Sequence, residues 1–255
     1  MLFSTIGHTI IHIDRTESTN NYAISEVAVN EVQDGAVFLT CRQTAGRGQR
    51  DNRWESEDGK NLTFSIFLRP SFLEAHRQFM LSKMVCLGLV SFLSRHTENV
   101  KIKWPNDIYV GARKVCGILI ENAIMGNTIS QSVIGIGLNI NQTSFLSPAP
   151  NPVSLKMITG MEYDLEVSLR ELLSAIDLWY VRLREGRYRE LDDAFYENLY
   201  RLNEWHRFRD EAHEYTGMIT GVNAIGQLCI REKDGAQHEY HFKEVEYLLT
   251  GKSTI

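Results

Sequence analysis

At 255 residues, with 43% hydrophobic and 23% charged residues, the chain has the composition of a folded protein of one or two domains, which excludes intrinsic disorder and fibrous or low-complexity architectures. Lys and Arg (27) against Asp and Glu (32) give a net charge of −5, which disfavours nonspecific nucleic-acid binding because that requires a basic surface to displace counterions. Four scattered cysteines with no Cys-x-x-Cys pair argue against a disulfide framework or a structural zinc site. The opening Met1-Leu2-Phe3-Ser4, together with the absence of any run of about 18 apolar residues, predicts a cytoplasmic protein without signal peptide or membrane span.

Hydrophobic periodicity predicts an α+β mixture. A strand over Ile10 to Ile13 is followed by Ser18-Thr19-Asn20, N-cap residues for a helix through Tyr22, Ala23 and Val27. Strands follow at Ala36 to Arg42 and Asn61 to Leu68, and a mostly apolar helix runs from about Glu74 to His96. Val100 to Trp104, a turn at Pro105-Asn106-Asp107, Ile108 to Val110, a hairpin at Gly111 and Lys114 to Glu121 read as adjacent antiparallel strands. A strand over about Val133 to Asn141 precedes a proline-rich loop, and helices are expected over Val167 to Glu185 and Tyr188 to Tyr200. From about Trp205 short strands take over: Met218 to Val222, Leu228 to Glu232, and Ala236 to Phe242 after an Asp234-Gly235 turn suited to type I′. The expected division is a domain over 1–205 and a small β-barrel over 206–255, too small to be stable unless docked.

Four segments carry chemistry. Arg42 to Trp54 holds four arginines against Asp51, a net +3, and its glycines Gly46 and Gly48 permit close backbone approach. It reads as a loop that orders over an anion, or equally as a solvated basic turn. In Lys101 to Asp107, strand alternation puts Lys101 and Lys103 on one face, and Pro105 aims Asn106 and Asp107 from a turn. These groups suit a magnesium-bound phosphate, or a surface Asx turn with a charge pair. Lys114 opens an apolar strand, so its ammonium must reach a bound anion or simply solvent. In Gly135 to Asn141 the glycines and asparagines share one face and the aliphatic residues the other, leaving room for a backbone or flat ligand; Asn61, Thr63 and Ser65 make a similar polar face, and either face reads equally as a solvent side.

Taken in order, Ser18-Thr19-Asn20, Gln43 with Gly46-Arg47-Gly48 and Trp54, Lys103-Trp104-Pro105-Asn106-Asp107, Lys114 with Gly117-Ile118-Leu119-Ile120-Glu121, and Gly135-Ile136-Gly137-Leu138-Asn139 closely resemble biotin protein ligases over essentially the whole chain. The Lys-Trp-Pro-Asn-Asp string is the most specific part. The resemblance implies a catalytic domain like that of class II aminoacyl-tRNA synthetases, with a mainly antiparallel sheet, and an SH3-like C-terminal barrel. It implies a two-step reaction: biotin and MgATP give biotinyl-5′-adenylate and pyrophosphate, then a lysine of a biotin carboxyl carrier protein attacks the mixed anhydride.

By the same resemblance Ser18, Thr19, Asn20 and Gln43 would meet biotin's ureido ring, Trp54 would cover its apolar part, and Arg47, Gly48, Gln49, Lys114 and Gly117 would complete the biotin site. Arg50, Lys103, Asn106, Asp107, Gly135 and Asn139 would bind ATP or the adenylate. Lys114, Arg47 and Asp107 are the expected catalytic residues, with Asp107 either a magnesium ligand, a lysine-orienting group or a general base. The glycine loop departs from the bacterial pattern Gly-Arg-Gly-Arg-Arg-Gly-Arg at Gln49 and Asp51, which is expected to alter adenylate retention, with Arg50 and Arg53 compensating. Only 17 residues precede Ser18, too few for a helix-turn-helix, so no repressor role and no DNA partner are expected. A monomer and a homodimer both remain open. The alternatives are a lipoate or octanoate ligase and, from another class, an RNA-binding module.

Overall fold

The computed structural model describes residues 5–49, 52–146 and 151–248. Seven strands form one mixed sheet: β1 (Ile10–Ile13), β2 (Val37–Thr40), β3 (Leu62–Leu68), β4 (Val100–Lys103), β5 (Asp107–Val110), β6 (Arg113–Met125) and β7 (Thr128–Leu138). Their order is β1-β2-β3-β7-β6-β5-β4, with β1 and β2 parallel and every other pair antiparallel.

Alternation sorts the two faces. The even positions of β3 and β7, such as Phe64, Ile66, Ile134 and Ile136, join the main core beneath helix α2 (Phe79–Leu93). That helix is apolar all round because it is buried on both sides, by the sheet and by α4 (Leu165–Arg184). The odd positions face α1 (Thr19–Val29), which seals a smaller cluster of Ala23, Val32, Phe38, Phe67 and Val133. Beyond α1 this second face carries Thr63, Ser65, Gly135 and Gly137, and it is here that the site lies.

The short α3 (Leu155–Thr159), capped by Ser154, was not expected from periodicity because five residues carry too little of it. The helix expected from Glu74 divides into a 3-10 turn over Ala75–Arg77 and α2. The β6–β7 hairpin extends beyond the expected ends at Glu121 and Val133, because backbone pairing continues through residues whose side chains, Ile124 and Met125 among them, are exposed.

After α5 (Tyr188–Glu197), β8 (Trp205–Arg209), β9 (Glu214–Val222), β10 (Leu228–Glu232), β11 (Gln237–Tyr240) and β12 (Glu246–Tyr247) form a second antiparallel sheet in the order β11-β10-β9-β8-β12. The β10–β11 connection is not the expected type I′ turn: Gly235 alone has positive φ (+96°), after an i to i+3 bond from Gly235 N to Glu232 O. That is a type I turn closed by a left-handed glycine, the usual three-residue hairpin. The small sheet docks through Trp104, whose indole Nε1 donates to Gly226 O at 2.9 Å while its ring meets Phe242. Among the described residues no helix is long and apolar enough to cross a membrane.

Candidate active site

The floor of the site is one row of the sheet. Strand pairing sets Thr63 of β3 beside Gly137 of β7, Gly137 beside Gly117 of β6, Gly117 beside Asp107 of β5, and Asp107 beside Lys103 of β4. Two neighbouring glycines in that row remove the side chains that would fill the space above them. Trp54 stands there instead: a Cβ on Gly137 would lie 2.2 Å from its ring, and one on Gly117 would lie 3.1 Å from it. In the next row a Cβ on Gly135 would lie 2.4 Å from Asn20 Oδ1. The glycines thus make room for Trp54 and Asn20 at the floor of a cavity that encloses about 690 Å³, open solvent at its mouth included.

One end of the cavity is polar, uncharged and closed. Ser18 caps α1 by accepting from Asn21 N, and Ser18, Thr19 and Asn20 are each 2–3% exposed. The Thr19 amide donates to Gln43 Oε1 at 2.9 Å, and the Gln43 segment is itself pinned by a parallel bridge to Thr16. Ser65 Oγ lies 2.7 Å from Asn20 Oδ1 and 2.8 Å from Thr19 Oγ1. Asn20 Oδ1 can only accept, so Ser65 donates to it and takes its own second bond from Thr19.

The other end is cationic and more open. The glycine loop folds as a narrow hairpin, with Arg47 bridged to Arg53 and Trp54 N donating to Gly46 O at 2.9 Å. Arg47 lines the cavity and pairs with Glu121 at 3.0 Å. Lys114 Nζ lies 2.7 Å from Asp107 Oδ1 and 5.8 Å from the Trp54 ring centre. Simple alternation would put Lys114 on the core face with Cys116 and Ile118. A bulge opposite Ile108 and Tyr109 skips Val115, so that Lys114 pairs with Tyr109 and turns to the face of Asp107 and Gly117.

Of the residues singled out in the sequence, Ser18, Thr19, Asn20, Gln43, Arg47, Gly48, Gln49, Trp54, Asn106, Asp107, Lys114, Gly117 and Gly135 all line this cavity. Arg50 and Asp51 lie outside the described residues. Lys103 and Asn139 do not line it. The Lys103 ammonium instead sits 4.5 Å from the Tyr247 ring centre and 5.5 Å from that of Tyr109, and this burial lowers its pKa against the opposing pull of Asp107. Asn139 donates to Val153 O, which ties the end of β7 to the segment leading into α3. Asn106 lines the cavity, but its amide is committed to Ile118 O, so it braces the turn against β6.

No site role follows from the sequence for Thr63, Asn52, Phe242 or Glu121. Phe242 reaches the cavity from the second sheet, and no local pattern foretells a contact between separate sheets. Thr63 was legible as part of a polar strand face but not as a neighbour of Gly137. Among the described residues nothing hydrogen-bonds the buried atoms Trp54 Nε1 and Gln49 Oε1.

Fold and cavity together define a site for a small molecule that is neutral and polar at one end and anionic at the other, held on a mixed α+β sheet. Residues 12–139, which span every described lining residue except Phe242, match the Biotin/lipoate A/B protein ligase family. The chain belongs to that family. It is 34% identical over 241 residues to the bifunctional ligase/repressor BirA of Bacillus spizizenii, covering 92% of this chain and 73% of that protein. It is 29% identical over 229 residues to the biotin–[acetyl-CoA-carboxylase] ligase of Paracoccus denitrificans, covering 88% and 94%. Among solved structures, biotin protein ligase from Aquifex aeolicus in complex with biotin and ATP superposes with a TM-score of 0.79 at 25% identity, covering 95% of this chain and 100% of that one.

Proposed function

We propose that the chain is a biotin protein ligase, which adenylates biotin with ATP, releasing pyrophosphate, and transfers the biotinyl group to a lysine of a biotin carboxyl carrier protein. The observation that carries this reading is the Gly117–Gly137 pair beneath Trp54, set between an uncharged hydrogen-bonding cluster and two cations. A ureido ring is neutral and offers both donors and acceptors, which suits Ser18, Thr19, Asn20 and Gln43. An analogue lacking that ring would leave their buried polar groups unpaired, and discrimination follows from that cost. Trp54, seated over the two glycines, offers an apolar face for the bicyclic body and chain.

Attack of the biotin carboxylate on the α-phosphorus brings two anions together. Lys114 and Arg47 are placed to screen that repulsion, and Lys114 also meets the charge that develops on the phosphoryl oxygens. Asp107 holds Lys114 at 2.7 Å, so in this reading it orients the lysine first. It is also the one carboxylate among the described lining residues, and the described residues contain no group of three or more His, Cys, Asp or Glu able to hold a metal. This donor set fits magnesium carried on ATP's phosphates: Asp107 is the residue that would help hold it, and the ion would supply charge neutralisation there. In the second step Asp107, as the one carboxylate among the described lining residues, would take the proton from the incoming carrier lysine. Two separate sheets support a division into a ligase domain over 1–205 and a smaller domain over 206–255, with Phe242, in the turn between β11 and β12, reaching the cavity.

The test is ATP–pyrophosphate exchange with biotin or lipoate as the acid. Exchange with biotin and none with lipoate is the expected result. Exchange with lipoate alone would transfer the reading to the other branch of the family.

A further inference from the structure

We propose that Glu121 is a positioning residue of this site: one carboxylate on β6 orients both the Asn20 amide and the Arg47 guanidinium, and so couples the polar end of the cavity to the glycine loop. The inference rests on the ligase reading. Glu121 follows Gly117 and Leu119 on the site face of β6 and stands behind the cavity wall, touching no part of the floor. Its Oε2 accepts from Asn20 Nδ2 at 2.8 Å, and its Oε1 accepts from Arg47 Nη2 at 3.0 Å. Arg47 Nη1 reaches Asn21 Oδ1 at 2.5 Å and Glu121 Oε2 at 3.4 Å. Glu121 thus joins two residues that line the cavity from different segments, α1 and the glycine loop.

An ionised carboxylate can only accept hydrogen bonds. With Leu119 O also taking a bond from Asn20 Nδ2 at 3.2 Å, the donor end of that amide is directed at the strand and its oxygen at Ser65 and the Gly135 floor. The direction of the Ser65 hydroxyl follows, and then that of Thr19. The polarity of the whole closed end is therefore set by a charge lying outside it. At the open end the same carboxylate gives Arg47 a two-pronged rest beside the anion's position, and the guanidinium is still 42% exposed. A pair that open is weak enough to yield to a phosphate.

The two halves differ in size for a physical reason. Asn20 is nearly fully buried, so misdirecting its amide is expensive, whereas Arg47 is half in water. Glu121→Gln keeps the shape but offers one acceptor and one donor end, so it cannot serve Asn20 and Arg47 together. The expected result is a biotin KM raised about tenfold and biotinyl-adenylate dissociation faster by about two- to fivefold, with melting temperature shifted by only a few degrees. In the Arg47→Lys background the effect of Glu121→Gln on dissociation should fall below about 1.5-fold while its effect on biotin KM persists, because lysine cannot make the forked contact. Should Glu121→Gln fail to fold, Glu121→Ala carries the same two expectations. Wild-type exchange with biotin alongside an unchanged KM and an unchanged dissociation rate in the variant would overturn the proposal, as would a dissociation effect undiminished by Arg47→Lys. A wild-type enzyme that does not exchange with biotin would instead overturn the ligase reading.

Discussion

The two ends of the cavity are built on opposite plans. At the uncharged end Ser18, Thr19 and Asn20 are almost fully buried; Ser18 is bonded to Asn21, Thr19 to Gln43 and Ser65, and Asn20 to Ser65, before any ligand arrives. At the cationic end the Arg47 side chain is 42% exposed and rests on Glu121. The difference teaches how the work is divided. Recognition of a neutral ring needs directional bonds fixed in advance, since an unpaired partner costs most when buried. Charge screening acts without strict direction and tolerates a loop that adjusts to the ligand.

The comparison can be broken from either end. The largest effect is expected for Lys114→Ala, which should lower biotin-dependent pyrophosphate exchange by about 10²- to 10³-fold while the melting temperature stays within a few degrees; near-normal exchange would make this lysine merely structural. Next is Gly137→Ala, whose added Cβ would meet the Trp54 ring at 2.2 Å. Displacing the indole should weaken biotin binding, measured by calorimetry, by about 1–3 kcal/mol. Gln43→Ala removes the acceptor of the Thr19 amide and should raise the biotin KM about tenfold with the ATP KM unchanged. An equal rise in both would mean that Gln43 acts on the whole cavity and not on the closed end alone.

The smallest expected change lies on the other face of the sheet, where burial pushes the Cys86 thiol up to about 12 and holds Cys116 well above its ordinary value. Raised pKa values mean that both remain thiols at pH 8, so iodoacetamide should label exposed Cys41 and spare these two until the protein is unfolded. Labelling of Cys116 in the native enzyme would show that β6 opens readily, contrary to a rigid floor.

Much of the site was legible in the sequence because its residues come in short strings whose local geometry is self-determined. Gly135 and Gly137 share a face by strand alternation alone, and Ser18 caps its helix by residue type. Lys103 and Asn139 show where such reasoning stops. Both belong to the right strings, yet Lys103 is enclosed by Tyr109 and Tyr247, and Asn139 is bonded to Val153. Tyr247 lies 144 residues beyond Lys103 and Val153 lies 14 beyond Asn139, so a short string of residues does not encode those partners.

The sequence by itself determined the order of elements, the faces of the long strands and the types of residue around the cavity, because periodicity and capping act over a few residues. Tertiary structure alone decided three things. The bulge at Val115 turned Lys114 from the core face to the site face, a change no alternation rule contains. Pairing of β6 with β7 set Gly117 beside Gly137 and so created the space that Trp54 fills. Docking of the second sheet brought Phe242 to the cavity. Each joins residues far apart in the chain, and such contacts are chosen by packing and strand register, which are properties of the whole fold.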